Sequence, residues 1–127
     1  MPVLGLGVDA VAIDRMRRIT TVAGRGDRFK MRVFTEGERS CCDARRDPAE
    51  CYAVRFAAKE AVMKALGAEG VSQAWRDIEV VRSKGGAPQI RVHGRVAERC
   101  RDRGVRAIHV SLTHAEPMAL AAVVLEG

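Results

Sequence analysis

The stretch from Tyr52 to Leu66, "YAVRFAAKEAVMKAL", limits the fold more than any other part of the chain, because it is a long helical segment made mostly of apolar residues. Gly67 follows it as a C-terminal stop. Ala58, Ala61, Val62, Ala65 and Leu66 fit the i, i+3, i+4, i+7, i+8 template of a buried stripe, so this helix has to lie against another layer. At about 100° per residue, Glu60 and Lys64 fall on the opposite side, roughly 40° apart, while Arg55 and Lys59 flank the stripe. Two explanations of these charges stand at this level. Glu60 four residues before Lys64 is the favourable order for a surface ion pair worth roughly 0.2–0.5 kcal/mol. Alternatively, the charges hold something charged.

At 127 residues the chain has room for one domain with its own core and not for two ordinary ones. Hydrophobic residues make up 47% and charged residues 30%, the composition of a chain that folds, which argues against wholesale disorder. The longest apolar run, Met118 to Leu125, is far short of the roughly 20 residues that cross a bilayer. The start, "MPVLGLGVDAV", lacks the basic residues, longer apolar stretch and cleavage site of a signal peptide. The expectation is no membrane span and a cytoplasmic location.

Cys41, Cys42, Cys51 and Cys100 contain no C-x-x-C pair, and His93, His109 and His114 do not complete a zinc pattern, so reduced thiols are expected. Against 22 basic side chains stand 16 acidic ones, a net charge of +6, which favours an anionic partner without choosing among nucleic acid, nucleotide phosphates and an acidic protein. Arginine dominates the excess, with Arg15, Arg17, Arg18, Arg25, Arg28 and Arg32 near the start and Arg95, Arg99, Arg101, Arg103 and Arg106 near the end. Two solvated helix faces would account for both clusters.

Along the chain, "VLGLGVDAV" reads as a first strand with Leu4, Leu6 and Val8 on one face and Gly5, Gly7 and Asp9 on the other, the glycines leaving room beside Asp9. "DRMRRITTVAG" predicts a helix capped by Asp14 and ending near Gly24, "GDRFKMRVF" a further short helix, and "FTEGE" a loop. After the helix at 52–66, "WRDIEVV" and "PQIRVHG" predict strands around the turn "SKGGAP". "RVAERCRDRG" predicts a helix, and "AIHVSLTH" and "MALAAVVLE" predict strands joined around "AEP". The order gives an α+β fold, a largely antiparallel sheet packed with helices, in a single domain over 1–127.

A hard cation such as Mg²⁺ takes one or two carboxylates together with phosphate oxygens, and Asp9 and Glu60 are candidates for that pair. Lys59 and Lys64 beside such a site would neutralise phosphate charge. Equally, Asp9 at a strand end reads as a turn or cap residue. "HVSLTH" ends its strand with Ser111, Thr113 and His114, two hydroxyls and an imidazole where a sheet meets solvent; a terminal histidine is also an ordinary surface residue.

Taken in order, "GVDAVAIDR", "FTEGE", "RFAAKEAVMKALG", "WRDIEVV", "GGAPQIRVHG" and "HVSLTH" resemble the holo-acyl-carrier-protein synthase family of phosphopantetheinyl transferases, from about Gly5 to Glu126. The resemblance implies transfer of 4′-phosphopantetheine from coenzyme A to a serine of apo acyl carrier protein, leaving adenosine 3′,5′-bisphosphate, in support of fatty acid biosynthesis. It implies Asp9 and Glu60 as Mg²⁺ ligands and Lys64 as the phosphate-facing lysine. Arg55, Lys59 and His114 match positions associated with the nucleotide and its phosphates. Ser111 and Thr113 would line the same cleft, bordered by Gly85, Gly86 and Pro88. The serine's proton is left open among Asp9, Glu60, His114 and a water.

By the same resemblance, the first helix docks an acidic carrier protein through Arg15, with Arg28, Phe29 and Arg32 next. The family's trimers, with sites between subunits, imply a homotrimer in which "HVSLTH" serves a neighbour's Asp9 and Glu60. Two departures stand out: Val54 occupies a position that is commonly glycine, and "ERSCCDARRDPAEC" matches no family pattern. Nucleic-acid binding is the chief alternative from another class, but only three Phe, one Trp and one Tyr are present as stacking platforms, so no nucleic-acid partner is expected. A binding-only relative without turnover is the second alternative, and the intact Asp9, Glu60 and Lys64 set argues against it.

Overall fold

Helix α4 (Pro48–Leu66) is the axis around which every other element is arranged. Beyond its first turn only Phe56, Glu60 and Lys64 escape burial, one i, i+4, i+8 stripe. Arg55 and Lys59, expected to flank a single buried face, are therefore enclosed with the rest. The computed structural model describes residues 2–67 and 71–127.

Around α4 the elements run β1 (Val3–Ala12), α1 (Ile13–Thr21), α2 (Arg25–Val33) and α3 (Glu36–Asp43) before it. After it come a short 3₁₀ turn (Trp75–Asp77), β2 (Ile78–Arg82), β3 (Pro88–Val92), α5 (Gly94–Asp102), β4 (Ala107–Ala115) and β5 (Met118–Glu126). The strands form two antiparallel sheets, one in the order β1-β5-β4 and one of β2-β3. The expected α+β class is what the chain adopts.

Two apolar clusters divide α4 between them. Its C-terminal half packs with β2, α5 and the inner face of β5, including Val62, Leu66, Ile78, Val96 and Val123. Its N-terminal half packs with α1 and α2 through Ile13, Met16, Val33, Phe34 and Tyr52.

The alternation in β1 is as expected from Gly5 to Asp9, whereas Leu4, at a register shift, packs against the core instead of sharing the face of Leu6 and Val8, and the room beside the glycines is filled by α4. A Cβ on Gly5 would overlap the Ala65 carbonyl, and one on Gly7 the Ala61 carbonyl, so only glycine lets strand and helix backbones meet there. The opposite face of the sheet is uncovered: Leu6 and Val8 are exposed, opposite Val124 and Ala122 of β5.

Several local expectations are corrected. "FTEGE" is not a loop: Thr35 caps α3, its hydroxyl accepting from Glu38 N at 3.2 Å while Glu38 Oε1 accepts from Thr35 N at 2.9 Å. Asp14 lies inside the first turn of α1, whose cap position is Ala12, and instead accepts from Arg17 at 2.5 Å. That helix stops at Thr21, and Gly24, with φ 77°, precedes α2. α4 begins at Pro48, one turn earlier than expected, since proline suits the first helical position. "WRD" is the 3₁₀ turn, so β2 starts only at Ile78. Cys42 and Cys51 are joined as a disulfide between α3 and α4, where reduced thiols were expected; Cys41 and Cys100 are free.

Glu38 and Lys59 are wholly buried and paired at 2.7 Å. Lys59 Nζ also donates to the carbonyls of Trp75, at 2.9 Å, and Ile78, while Glu38 Oε2 accepts from Val80 N at 2.9 Å. Burial pushes the Lys59 ammonium below its usual range, with Glu38 opposing that shift. This network ties α3, α4 and β2 together. Replacing Glu38 with leucine leaves the ammonium and two backbone amides without their acceptor, and is expected to destabilise the protein by about 3–5 kcal/mol, read from the urea unfolding midpoint. A loss below about 1 kcal/mol would remove the pair from the fold's supports.

Candidate active site

Because side chains alternate along a strand, Asp9 shares the face of β1 that Gly5 and Gly7 turn toward α4. It lies beside the one stripe of α4 that reaches solvent. Lys64 Nζ donates to Asp9 Oδ1 at 2.7 Å and to the Val8 carbonyl at 3.1 Å. The surface ion pair between Glu60 and Lys64 considered from the sequence does not form; Lys64 crosses to β1. Glu60 instead accepts from the indole nitrogen of Trp75 at 3.3 Å.

Asp9 and Glu60 line one cleft of about 540 Å³, with Arg15, Phe29, Phe56 and Met118 among its walls. Two carboxylates, with no thiolate or imidazole in the lining, are the donor set of a hard divalent cation rather than of zinc or copper. The structure thus brings Asp9 and Glu60 to one cleft with Lys64 bonded to Asp9, and two of the four docking residues named from the sequence, Arg15 and Phe29, line the same cleft. Phe29 also borders a shallow apolar hollow with Arg18, Ile19, Val22 and Arg25. Arg28 is exposed on α2, and the Arg32 guanidinium stands 5.9 Å from the Trp75 ring centroid.

His114, Thr113 and Arg55 lie elsewhere. They line a second cleft of about 660 Å³ with Arg45, Arg46 and Arg82, and its lining shares no residue with the first. Arg55 is 3% exposed. Its Nη1 meets Cys51 Sγ at 2.9 Å, Nη2 meets Cys41 Sγ at 3.4 Å, and Nε has no partner. No carboxylate forms a direct ion pair with this guanidinium among the described residues, and burial lowers its pKa while Cys41 and Glu38 oppose that shift. Four arginines against Asp47 and Glu50, which are themselves bound by Arg17 and His114, leave this cleft basic, and a buried guanidinium bonded only to sulfur and a carbonyl at its wall is suited to an anion.

His114 Nε2 stands 3.2 Å from Glu50 Oε1. Ser111 is exposed on the outer face of β4 and does not line the second cleft. Gly86 takes φ 84° in the β2–β3 turn, and its carbonyl accepts from Arg82 at 2.6 Å, which ties the turn of Gly85, Gly86 and Pro88 to a residue of the second cleft. Lys59 reaches neither cleft, since its ammonium is enclosed by Glu38 and two carbonyls. Sequence reasoning missed Arg45, Arg46 and Arg82. The "ARR" run was visible, but it lay in the segment that matched no family pattern. Asp47, Glu50 and Glu116 can bring their oxygens within 4.8 Å of one another, yet Asp47 is bound by Arg17 at 2.9 Å and Glu50 by His114.

Comparison with known proteins gives the family and bears on the fold. A family model, the 4′-phosphopantetheinyl transferase superfamily, matches residues 5–121. A holo-[acyl-carrier-protein] synthase of Anaeromyxobacter dehalogenans is 50% identical over 129 residues, covering 98% of this chain and 97% of its own length. The crystal structure of the holo-[acyl-carrier-protein] synthase of Neisseria meningitidis superposes with a TM-score of 0.86 at 29% identity, over 99% of this chain and 100% of that one. That of Bacillus anthracis, solved in complex with CoA (3′,5′-ADP), gives a TM-score of 0.76 at 30% identity, over 97% of this chain and 96% of that one. Matched over most of its length by the family model and over nearly all of it by these relatives, the chain belongs to the 4′-phosphopantetheinyl transferase superfamily.

Proposed function

We propose that this protein transfers 4′-phosphopantetheine from coenzyme A to a serine of apo acyl carrier protein, releasing adenosine 3′,5′-bisphosphate, with Mg²⁺ as cofactor and in service of fatty acid biosynthesis in the cytoplasm. The observation that carries the reading is the convergence of Asp9, Glu60, Arg15 and Phe29 on one cleft, with Lys64 reaching Asp9 at its edge. The relatives' name, holo-[acyl-carrier-protein] synthase, supports the same substrate, and the CoA complex of the Bacillus anthracis relative supports the donor.

In this reading Asp9 and Glu60 hold the cation, which supplies positive charge against the coenzyme A pyrophosphate. Lys64, more than half exposed, adds a mobile positive charge beside it as negative charge builds on the leaving bisphosphate. Arg55, with Arg45, Arg46 and Arg82, holds the nucleotide phosphates in the second cleft, and His114 and Thr113 border them. Arg15 orients the acidic carrier protein electrostatically, Phe29 offers it an apolar contact, and Arg28 and Arg32 extend the basic surface.

The two clefts are separate within one chain, which supports a homotrimer with sites between subunits. The uncovered sheet face carries Leu6 and Val8 beside Val124 and Ala122, in register with His109 and Ser111 of β4, and Thr113 follows opposite Leu120. Covering that apolar face with further copies would remove it from water, and in this reading the β4 end of one subunit serves the Asp9 cleft of the next.

Intact-mass measurement of an apo acyl carrier protein after incubation with this protein, coenzyme A and Mg²⁺ tests the reaction. A gain of one phosphopantetheine that disappears in EDTA is the expected result, and no gain with several carrier proteins would overturn the reading. Asp9→Ala and Glu60→Ala are each expected to lower the rate by roughly 10²–10³ with little change in thermal unfolding, because both carboxylates face a cleft rather than the core. Wild-type turnover in either variant would refute the metal assignment. Arg15→Glu is expected to raise the KM for carrier protein about tenfold and leave the KM for coenzyme A within about twofold, measured by steady-state kinetics at fixed ionic strength.

A further inference from the structure

Trp75, the single tryptophan of the chain, is tied to two consecutive residues of α4. Its backbone carbonyl accepts from Lys59 Nζ at 2.9 Å, and its indole Nε1 donates to Glu60 Oε1 at 3.3 Å. The ring is packed against Phe56, centroid to centroid 6.3 Å, and the Arg32 guanidinium stands 5.9 Å from its centroid. Just upstream, Gln73 adopts φ 62°, and its side-chain oxygen lies 3.5 Å from Arg32 Nη2. A non-glycine residue held in the left-handed region marks a turn whose course is fixed by its surroundings. Ring, backbone and preceding turn thus restrain the indole from three directions.

That restraint has a consequence for Glu60. An indole N–H is a donor only and carries one hydrogen, so it can orient a carboxylate without competing as a ligand. By engaging Oε1 it sets how Glu60 is presented to the cleft it shares with Asp9. Groups that hydrogen-bond to a metal-binding carboxylate or imidazole typically change metal affinity 10–100-fold when removed.

We propose that Trp75 is a positioning residue for the divalent-cation site, its indole N–H orienting the Glu60 carboxylate. The proposal rests on the reading of Asp9 and Glu60 as the cation ligands. At 3.3 Å the hydrogen bond is long, which places the expected effect near the lower end of that range, about tenfold in affinity.

The test is direct Mn²⁺ binding, followed by the electron paramagnetic resonance signal of the free ion, with the protein saturated with coenzyme A. Wild type, Glu60→Gln and Trp75→Phe are compared, with thermal unfolding measured on each. Weaker binding in Glu60→Gln, together with about tenfold weaker binding in Trp75→Phe at unchanged unfolding temperature, supports the proposal. If Glu60→Gln weakens binding and Trp75→Phe binds as wild type, the positioning role is overturned while the cation reading stands. If Glu60→Gln binds as wild type, the cation reading fails and this proposal with it.

A second measurement needs no change at Trp75. Its emission in wild-type protein saturated with coenzyme A is expected to shift on addition of diamagnetic Mg²⁺, and that shift is expected to vanish in Glu60→Gln. Saturating Mg²⁺ without any change in wild-type emission would overturn the proposal even if Trp75→Phe failed to fold.

Discussion

The direct approach of the α4 backbone to β1 is the constraint on which the rest depends. Gly5 lies against the Ala65 carbonyl and Gly7 against that of Ala61, so two residues of strand advance alongside four residues of helix in the opposite direction. The match is geometric: about 6.6 Å of strand against about 6 Å of helix. Continuing the same ladder, Asp9 arrives one further turn toward the helix N-terminus. Glu60 then lies on the neighbouring stripe, and Lys64 is within reach across the groove. The carboxylate pair and its lysine are a consequence of two missing Cβ atoms.

Consecutive residues on α4 meet opposite fates. Lys59 is sealed in the core against Glu38, and Glu60 opens onto a cleft. A buried ion pair does not by itself favour folding over an apolar pair, since desolvation offsets the attraction. Here its value is in what else it satisfies: Glu38 also takes the Thr35 and Val80 amides, and Lys59 the Trp75 and Ile78 carbonyls. Backbone groups of α3, the 3₁₀ turn and β2, which meet at irregular angles, find partners through two side chains that reach where secondary structure cannot.

The period-2 and period-3.6 patterns made the five strands and four of the five helices among the described residues largely legible, because most of them have one face on the core. They failed where the deciding information was not local. "TEGE" carries a capping-box signature, but its value depends on Glu38 meeting Lys59, 21 residues away. The Cys42–Cys51 link joins a helix where the sequence pattern gives a loop to one that begins a turn before its own pattern does, so their proximity has no sequence signal. The closeness of Asp9, Glu60 and Lys64 was easier to anticipate, because looking for carboxylates and lysines that suit a hard cation beside a phosphate restricts residue types. The duty of Lys59 was not, since an ammonium in a core and one facing a phosphate look alike in sequence.

The arginine excess divides differently from its distribution along the chain. Of the early cluster, Arg15 borders the first cleft and Arg18 and Arg25 the apolar hollow beside it, a basic rim around an apolar floor. The late cluster contributes nothing to either cleft; Arg103, for instance, donates to the Leu66 and Leu4 carbonyls, closing the end of α4 onto β1. The second cleft draws Arg45, Arg46, Arg55 and Arg82 from neither cluster. Buried Arg55, with no carboxylate partner among the described residues, would be costly unless an anion completed it, whereas exposed arginines are solvated at little cost. In the proposed function, one buried guanidinium is therefore the specific element for an anionic ligand, and the net charge of +6 adds a long-range field of the matching sign.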